Sequence, residues 1–471
     1  MFLAVPEFLK NAGSIRRLPP LGLLYIASYL KNKTDHEVYL LDAQLDRLSD
    51  DEVEEKIRAI NPDIVGITTY IFTLLDCLET AKRAKRVNPD IFVVIGGSHA
   101  HIYPGETANL PEVDAVVAGE GEEVMAELAN ALAENKSLHH IPGIFFKSGG
   151  QVVSTGPRAP IKDLDKLPFP AREMLPKERF KFATDSEKFS TTMISTRGCR
   201  FKCTFCAVTY HEVRARSAEN VVREMKHCAQ MGIREINFYD DSFNYSEKHV
   251  ENICREILNN DLDIKFSIRA RVDKLSEKSV SLLKQAGCQR VNLGVEAADN
   301  EILRKIKKGI TVEMATRSVK LIKDHGMEVT AYFMLGFPGQ DLDGIKKTVD
   351  FAIKLDPDYA QFNTVFLAPA TPMYHDALKS GAFDKDFYHE HAKKPLPSQI
   401  VACWEDKFTV EELLALTREA YRRFYLRPSY MWKSIKRVKS PVNLFRKGMQ
   451  GTEILSFALL PFRTFWPTGR L

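Results

Sequence analysis

Thr192-Met193-Ile194-Ser195-Thr196-Arg197-Gly198-Cys199-Arg200-Phe201-Lys202-Cys203-Thr204-Phe205-Cys206 carries the pattern on which the reading of this chain turns. A strand-like run, Thr192 to Ser195, feeds a glycine-containing loop with three cysteines in eight positions. Three thiolates on one loop can surround a cube-shaped iron–sulfur cluster. With no fourth cysteine nearby, one iron would lack a protein ligand and stay open to a substrate or cofactor. Arg197, Arg200 and Lys202 would offset the negative charge of such a cluster. A zinc site with His211 as fourth ligand is the competing reading, because zinc takes four ligands in paired spacing. Three unrelated structural thiols would be the blandest account of all.

The pattern around this loop repeats. Strand-like runs at Glu235 to Tyr239, Ile264 to Ile268, Arg290 to Gly294, Glu328 to Met334 and Ala360 to Phe366 alternate with helical patterns. Those helices run from Ala218 to Gln230, Glu247 to Leu258, Ser276 to Gln285, Val312 to Lys323 and Gly344 to Lys354. Six strand–helix units over residues 191–395 predict an α/β region shaped as a partial (β/α)6 barrel, with its site at the strand C-terminal ends. Residues 1–135 alternate in the same way, with apolar runs at Glu37 to Leu41, Ile64 to Thr68, Ile91 to Ile95 and Ala115 to Val117. They predict a doubly wound parallel sheet, Rossmann-like, whose ligand crevice lies at the strand ends. Thr68-Thr69, Gly96-Gly97-Ser98 and Gly119-Glu120-Gly121 occupy those ends. Residues 136–190 are rich in Pro and Gly and read as a linker with a small β-meander. Residues 396–471 read as helical and basic, with Val410 to Phe424 the clearest amphipathic stretch.

Composition narrows the class. The 471 residues are 44% hydrophobic and 27% charged, with a formal net charge of +4, so there is ample core and no overall pull toward nucleic acid. The charge is uneven: from Arg427 onward nine Lys or Arg face Glu453 alone. The opening residues, Met1-Phe2-Leu3-Ala4-Val5-Pro6-Glu7, have neither a basic region nor a sustained apolar one, so no signal peptide is expected. Eight cysteines in so long a chain do not suggest a disulfide scaffold, and a reducing cytoplasm suits them best.

The C-x3-C-x2-C spacing, with Phe205 before the last cysteine, resembles the signature of the radical S-adenosylmethionine (SAM) superfamily. That resemblance implies a 4Fe-4S cluster on Cys199, Cys203 and Cys206, with SAM chelated at the open iron and cleaved to a 5′-deoxyadenosyl radical. It further implies SAM contacts from Asp240 or Asp241, Arg269, Glu296 and Gly336, at the ends of successive strands. Acids and glycines also end barrel strands for ordinary turn and capping reasons. Leu18 to Tyr25, Gly96 to Ala100 and Asp114 to Glu122 together resemble the cobalamin-binding domain that precedes many such barrels. The group containing anaerobic magnesium-protoporphyrin monomethyl ester cyclase and hopanoid-modifying enzymes is the nearest match. Cobalamin would then meet Thr68, Thr69, Gly96, Gly97, Ser98, Gly119 and Glu120. Leu41-Asp42-Ala43-Gln44-Leu45-Asp46 stands where classical corrinoid proteins carry a cobalt-binding histidine, and it has none. Another nucleotide on the same fold is the alternative, although no G-x-G-x-x-G follows the first strand.

The resulting expectation is an enzyme with cluster, SAM and cobalamin that modifies an unactivated carbon by methyl transfer, or by oxidative cyclisation or rearrangement. Its substrate would be a small molecule of the lipid or tetrapyrrole kind, and its electrons would come from a reductase or flavodoxin-type donor. The basic C-terminus either packs on the barrel or touches an anionic membrane surface. Cys77, Cys228, Cys254 and Cys288 read as core thiols; Cys403, beside Trp404, reads either as a core thiol or as one facing the active site.

Overall fold

The fold is described by a computed structural model covering residues 2–5, 19–46, 48–176, 189–383, 385–395 and 403–436. The chain divides into two units, Met1–Arg179 with Phe383–Gln399, and Phe180–Ala382 with Ile400–Leu471.

The first unit is built on seven strands: β1 (Phe2–Val5), β2 (Tyr39–Asp42), β3 (Ile64–Thr68), β4 (Phe92–Gly96), β5 (Ala115–Val117), β6 (Ile144–Ser148) and β7 (Gln151–Ser154). Their spatial order is β2-β1-β3-β4-β5-β6-β7, with β1 to β5 parallel. The order reverses between β1 and β3, which creates the crevice of doubly wound sheets. Val65, Val93 and Val94 are buried apolar residues of the central strands, as a sheet covered on both faces requires. Helices Leu21–Lys33 and Gly121–Ala133 share one core with Val94, Ala115 and Val117. Helices Asp50–Ile60 and Leu74–Val87 share another with Val65, Ile67 and Val93. Ser49 and Glu52 form a reciprocal capping box that starts Asp50–Ile60. Residues 144–154, read from sequence as a meander within a linker, add β6 and β7 antiparallel to the sheet edge.

The second unit has β8 (Phe189–Met193), a short antiparallel pair β9 (Thr196–Arg197) and β10 (Arg214–Ala215), then β11 (Ile233–Phe238), β12 (Lys265–Ala270), β13 (Cys288–Glu296), β14 (Glu328–Leu335) and β15 (Tyr359–Thr364). Six of these make one parallel sheet in the order β15-β14-β13-β12-β11-β8, each step a neighbour in sequence. This is the open half-barrel expected from the six runs, with strand bounds shifted by a few residues.

The open edge at β15 is covered by helix Val410–Tyr425 and helix Pro428–Lys436 after it. The Tyr425 hydroxyl donates to the Ala360 carbonyl at 2.7 Å and accepts from the Ala360 N–H at 3.1 Å. Tyr421 accepts from the Phe362 N–H at 3.3 Å, and Tyr430 donates to the Asp358 carbonyl at 2.9 Å. Phenol groups thus take the positions of a neighbouring strand's backbone. Arg427 and Lys433, the first cations of the basic tail, both pair with Asp356. The remainder of that tail, including the apolar run from Ile454 to Phe462, lies outside the described residues. No helix among the described residues is long and apolar enough to cross a membrane.

Tyr425→Phe leaves two buried backbone groups at Ala360 without a partner and is expected to lower stability by about 1–3 kcal/mol. Thermal unfolding of the purified chain, with Tyr425→Leu as a larger insult, measures this. A melting temperature unchanged in Tyr425→Phe would contradict it.

Candidate active site

The cysteine loop is held at both ends. Buried Asp240, just past β11, accepts through Oδ1 from the N–H groups of Ser195 and Thr196 at 2.9 and 2.5 Å. The same oxygen accepts from their hydroxyls at 2.9 and 2.6 Å. Ser195 Oγ also meets His249 Nε2 at 2.9 Å. Burial holds the Asp240 carboxyl above the usual carboxylate range, with these donors opposing but not cancelling it. Beyond β9, Gly198 has φ +88°, and a Cβ there would lie 2.2 Å from the Glu212 carbonyl. Only glycine fits. The Cys199 N–H donates to the Tyr210 carbonyl at 3.0 Å, and the Thr204 N–H to that of Ile306 at 3.0 Å. Arg271 stacks on Phe201, 3.7 Å from the ring centroid, and Arg200 donates to the Tyr245 carbonyl at 2.5 Å. Phe205 packs edge-on against Phe337 with centroids 5.9 Å apart.

Cys199 and Cys203 are half-buried and Cys206 is exposed, and none is in a disulfide. Loss of solvent raises the Cys199 thiol, with Asp241 and Cys203 adding to the effect. The Cys206 thiol is pushed up to about 12, by desolvation first and then by Cys203, Asp241 and Cys199, with Lys308 opposing. Thiols that raise one another need a cation among them to ionise, which iron supplies. Among the described residues no three metal-binding side chains meet closely enough for a single ion. A cluster makes a different demand, one thiolate for each of three irons, and the loop satisfies it in chemistry and spacing. His211, the candidate fourth zinc ligand, is exposed and uses Nδ1 toward the Cys199 carbonyl at 3.2 Å.

The other expected residues divide. Asp241 lies near the cysteines and Arg269; its carboxyl is raised by burial and lowered by that arginine. Arg269 stacks on Tyr239 at 3.7 Å. Glu296 is buried at the end of β13 and pairs with Lys308 at 2.6 Å. Gly336 has φ +89°, which favours glycine, and Leu413 packs over it with Cδ2 2.6 Å from where a Cβ would be, so backbone conformation and packing account for that glycine without a ligand. Lys308 was missed by the sequence reading, since Lys307-Lys308-Gly309 looks like an ordinary solvated turn.

In the first unit the ends of β3 and β4 meet closely. The Thr69 N–H donates to the Gly96 carbonyl at 2.7 Å. Gly97, at φ +103°, approaches so near that a Cβ would lie 2.4 Å from the Thr69 carbonyl, whereas a Cβ on Gly96 would meet nothing. Gly97 therefore packs the two strand ends together, and Gly96 is the position that faces open space. Gly119 has φ +141°, and Glu120 accepts from the Ile161 N–H at 2.7 Å. Asp42 caps the short helix Ala43–Asp46 through the Leu45 N–H at 2.9 Å. His99 is fully buried, neither ring nitrogen has a hydrogen-bond partner among the described residues, and desolvation depresses it to about 3.

Gly198→Ala is expected to abolish iron loading, because the Glu212 carbonyl must move; iron and sulfide analysis after anaerobic reconstitution reads this. Buried His99 and His249, the latter depressed to about 4, stay neutral in the fold while unfolded histidine titrates near 6.5. The unfolded chain then binds more protons between these values, so stability falls as pH drops from about 6.5 toward 4. Each histidine contributes at most about 1.4 kcal/mol per pH unit. His99→Leu should flatten the loss of melting temperature between pH 7 and pH 5, and an unchanged slope would refute this account.

Comparison with known proteins agrees with both units. The radical SAM superfamily model matches residues 193–352, and the B12 binding domain model matches residues 16–129. An uncharacterized methyltransferase of Pyrococcus horikoshii is 35% identical over 422 residues, covering 88% of this chain and 90% of that one. The anaerobic magnesium-protoporphyrin IX monomethyl ester cyclase of Rubrivivax gelatinosus is 30% identical, covering 88% and 75%. Among solved structures, the cobalamin-dependent SAM radical enzyme OxsB, with aqua-cobalamin and SAM bound, superposes with a TM-score of 0.72 at 18% identity, covering 98% of this chain and 72% of that one. The radical SAM methyltransferase TsrM of Kitasatospora setae gives 0.68 at 22%, covering 80% and 74%. At these identities the two superpositions speak to fold alone. Cysteine loop, half-barrel, doubly wound first unit and relatives aligned over 88% of the chain converge: the chain belongs to the cobalamin-dependent radical SAM superfamily.

Proposed function

We propose that this enzyme transfers a methyl group to an unactivated carbon of a small molecule. The observation that carries the reading is the three-cysteine loop anchored at the end of β8, in a chain that also has a doubly wound parallel sheet with open space at Gly96, the end of β4. When bound, cluster, SAM and cobalamin supply a carbon-centred radical and a methyl group; the protein orients them. Cys199, Cys203 and Cys206 would hold the cluster. Asp241 and Glu296 would receive the amino and hydroxyl groups of SAM, while Asp240 holds the loop. Thr68, Thr69, Gly96, Gly97, Ser98, Gly119 and Glu120 would border the cobalamin. Asp42 caps a helix where a classical corrinoid protein has its histidine loop, so the lower cobalt face would lack that ligand.

Relatives named as methyltransferases support methyl transfer, among them the hopanoid C-3 methylase of Methylococcus capsulatus at 24% identity. The cyclase relative at 30% identity supports the second reading, oxidative cyclisation with the same cofactors. A lipid or tetrapyrrole substrate, a reductase or flavodoxin-type electron donor and a cytoplasmic setting complete the proposal.

The test is anaerobic turnover with reductant, SAM and cobalamin, using an extract of a deletion strain as substrate source. Methyl transfer predicts S-adenosylhomocysteine together with 5′-deoxyadenosine and a product heavier by one methylene. A product lighter by two hydrogens, with no S-adenosylhomocysteine, would establish the cyclase reading instead. Cys203→Ala is expected to lose the cluster and at least 100-fold of SAM cleavage, on the order seen when a chemistry-bearing group is removed. Retained cleavage at unchanged iron content would overturn the assignment.

A further inference from the structure

Three features of β13 point to one side chain outside the motifs. Glu296 is a non-glycine residue at φ +70°, a backbone region that costs energy for an L side chain. The pairing of β13 with β14 slips between Gly294 and Glu296. Gly294 leaves the space that the ion pair fills, since a Cβ there would lie 2.4 Å from Glu296 Oε1 and 2.7 Å from Lys308 Nζ. Strain, bulge and glycine all serve to bring the Glu296 carboxylate onto the Lys308 ammonium.

Both partners are buried, Glu296 at 6% exposure and Lys308 at 9%. Desolvating two charges costs about as much as their attraction returns, so stability alone is a poor reason for such a pair. Its location offers a better one. The Lys308 ammonium is 5.9 Å from the ring centroid of Phe205, the residue before Cys206. Its backbone carbonyl accepts from Arg271 Nη2 at 2.5 Å, the same guanidinium that stacks on Phe201 between the first two cysteines. Two residues earlier, the Ile306 carbonyl receives the Thr204 N–H of the cysteine loop. Residues 306–308 are therefore tied to the loop by backbone and by arginine, and the ammonium lies against it.

We propose that Lys308 is a positioning residue that fixes the Glu296 carboxylate and lends the cysteine loop a buried positive charge, raising the reduction potential of the cluster held there. The proposal rests on the cluster reading above. Positive charge beside a cluster stabilises its reduced, more negative state, and burial keeps solvent from screening that charge.

The experiment is a redox titration of the full chain, reconstituted anaerobically without SAM and followed by electron paramagnetic resonance. Leaving out SAM removes any effect of Glu296 on cofactor binding. Lys308→Met should move the midpoint to a more negative potential at wild-type iron content, and Lys308→Arg should restore most of the difference. Glu296→Gln should move it the opposite way, because the ammonium then loses its counter-charge. If Lys308→Met fails to load iron, Glu296→Gln decides alone: a positive shift supports the proposal, and no shift or a negative one overturns it. Unchanged midpoints in both variants would overturn it as well. A wild-type chain with no reducible cluster signal would overturn the cluster reading and this proposal with it.

Discussion

Four donors from two consecutive residues end on a single oxygen of Asp240, and the geometry of the reactive half follows from that arrangement. β8 and β11 are neighbours in the parallel sheet, so their C-terminal ends emerge side by side. A buried carboxylate between them satisfies the backbone of Ser195 and Thr196 where β8 stops pairing, and a buried N–H without a partner would be costly. The loop is thereby directed across the sheet before its first cysteine, and His249, on helix Glu247–Asn259, is attached to the same point. Asp241 lies outside this arrangement, close enough to Cys199 and Cys206 to raise their thiols. Adjacent carboxylates in one sequence motif thus do different work, one in the architecture and one at the surface of the site.

Much of this was legible in the chain. Buried parallel strands appear as short β-branched runs, and Ile64–Thr68 and Ala115–Val117 have the expected bounds. The cysteine spacing carried the chemistry, because three thiolates on one short loop have few other uses. The losses have physical reasons. β1, Phe2–Val5, is four residues long and its alignment between β2 and β3 depends on partners 35 or more positions away. Strands β6 and β7 lie in a Pro- and Gly-rich stretch, where local composition outweighs the sheet edge that recruits them. Nothing in Asp240-Asp241 says which carboxylate turns inward; the sheet register decides it. Lys308 looked solvated because its burial comes from Glu296, Phe205 and Arg271, none of them close in sequence.

Both units use glycine to let the chain approach itself. Gly97 lets one strand end lie against the next, with the Thr69 carbonyl where a Cβ would be. Gly198 and Gly294 likewise make room for groups of the protein itself, a carbonyl in one case and an ion pair in the other. Substitution at any of the three would displace the protein's own atoms, whereas Gly96, beside Gly97, faces open space.

The tyrosines beside β15 bear on how an open sheet protects an edge. A half-barrel keeps edges whose N–H and C=O groups could recruit a strand from another molecule. At β15, hydroxyls from Tyr421, Tyr425 and Tyr430 occupy that edge at intervals set by two helices, with no strand register to copy. That edge is thus closed to a further strand without the sheet having to continue into a full ring.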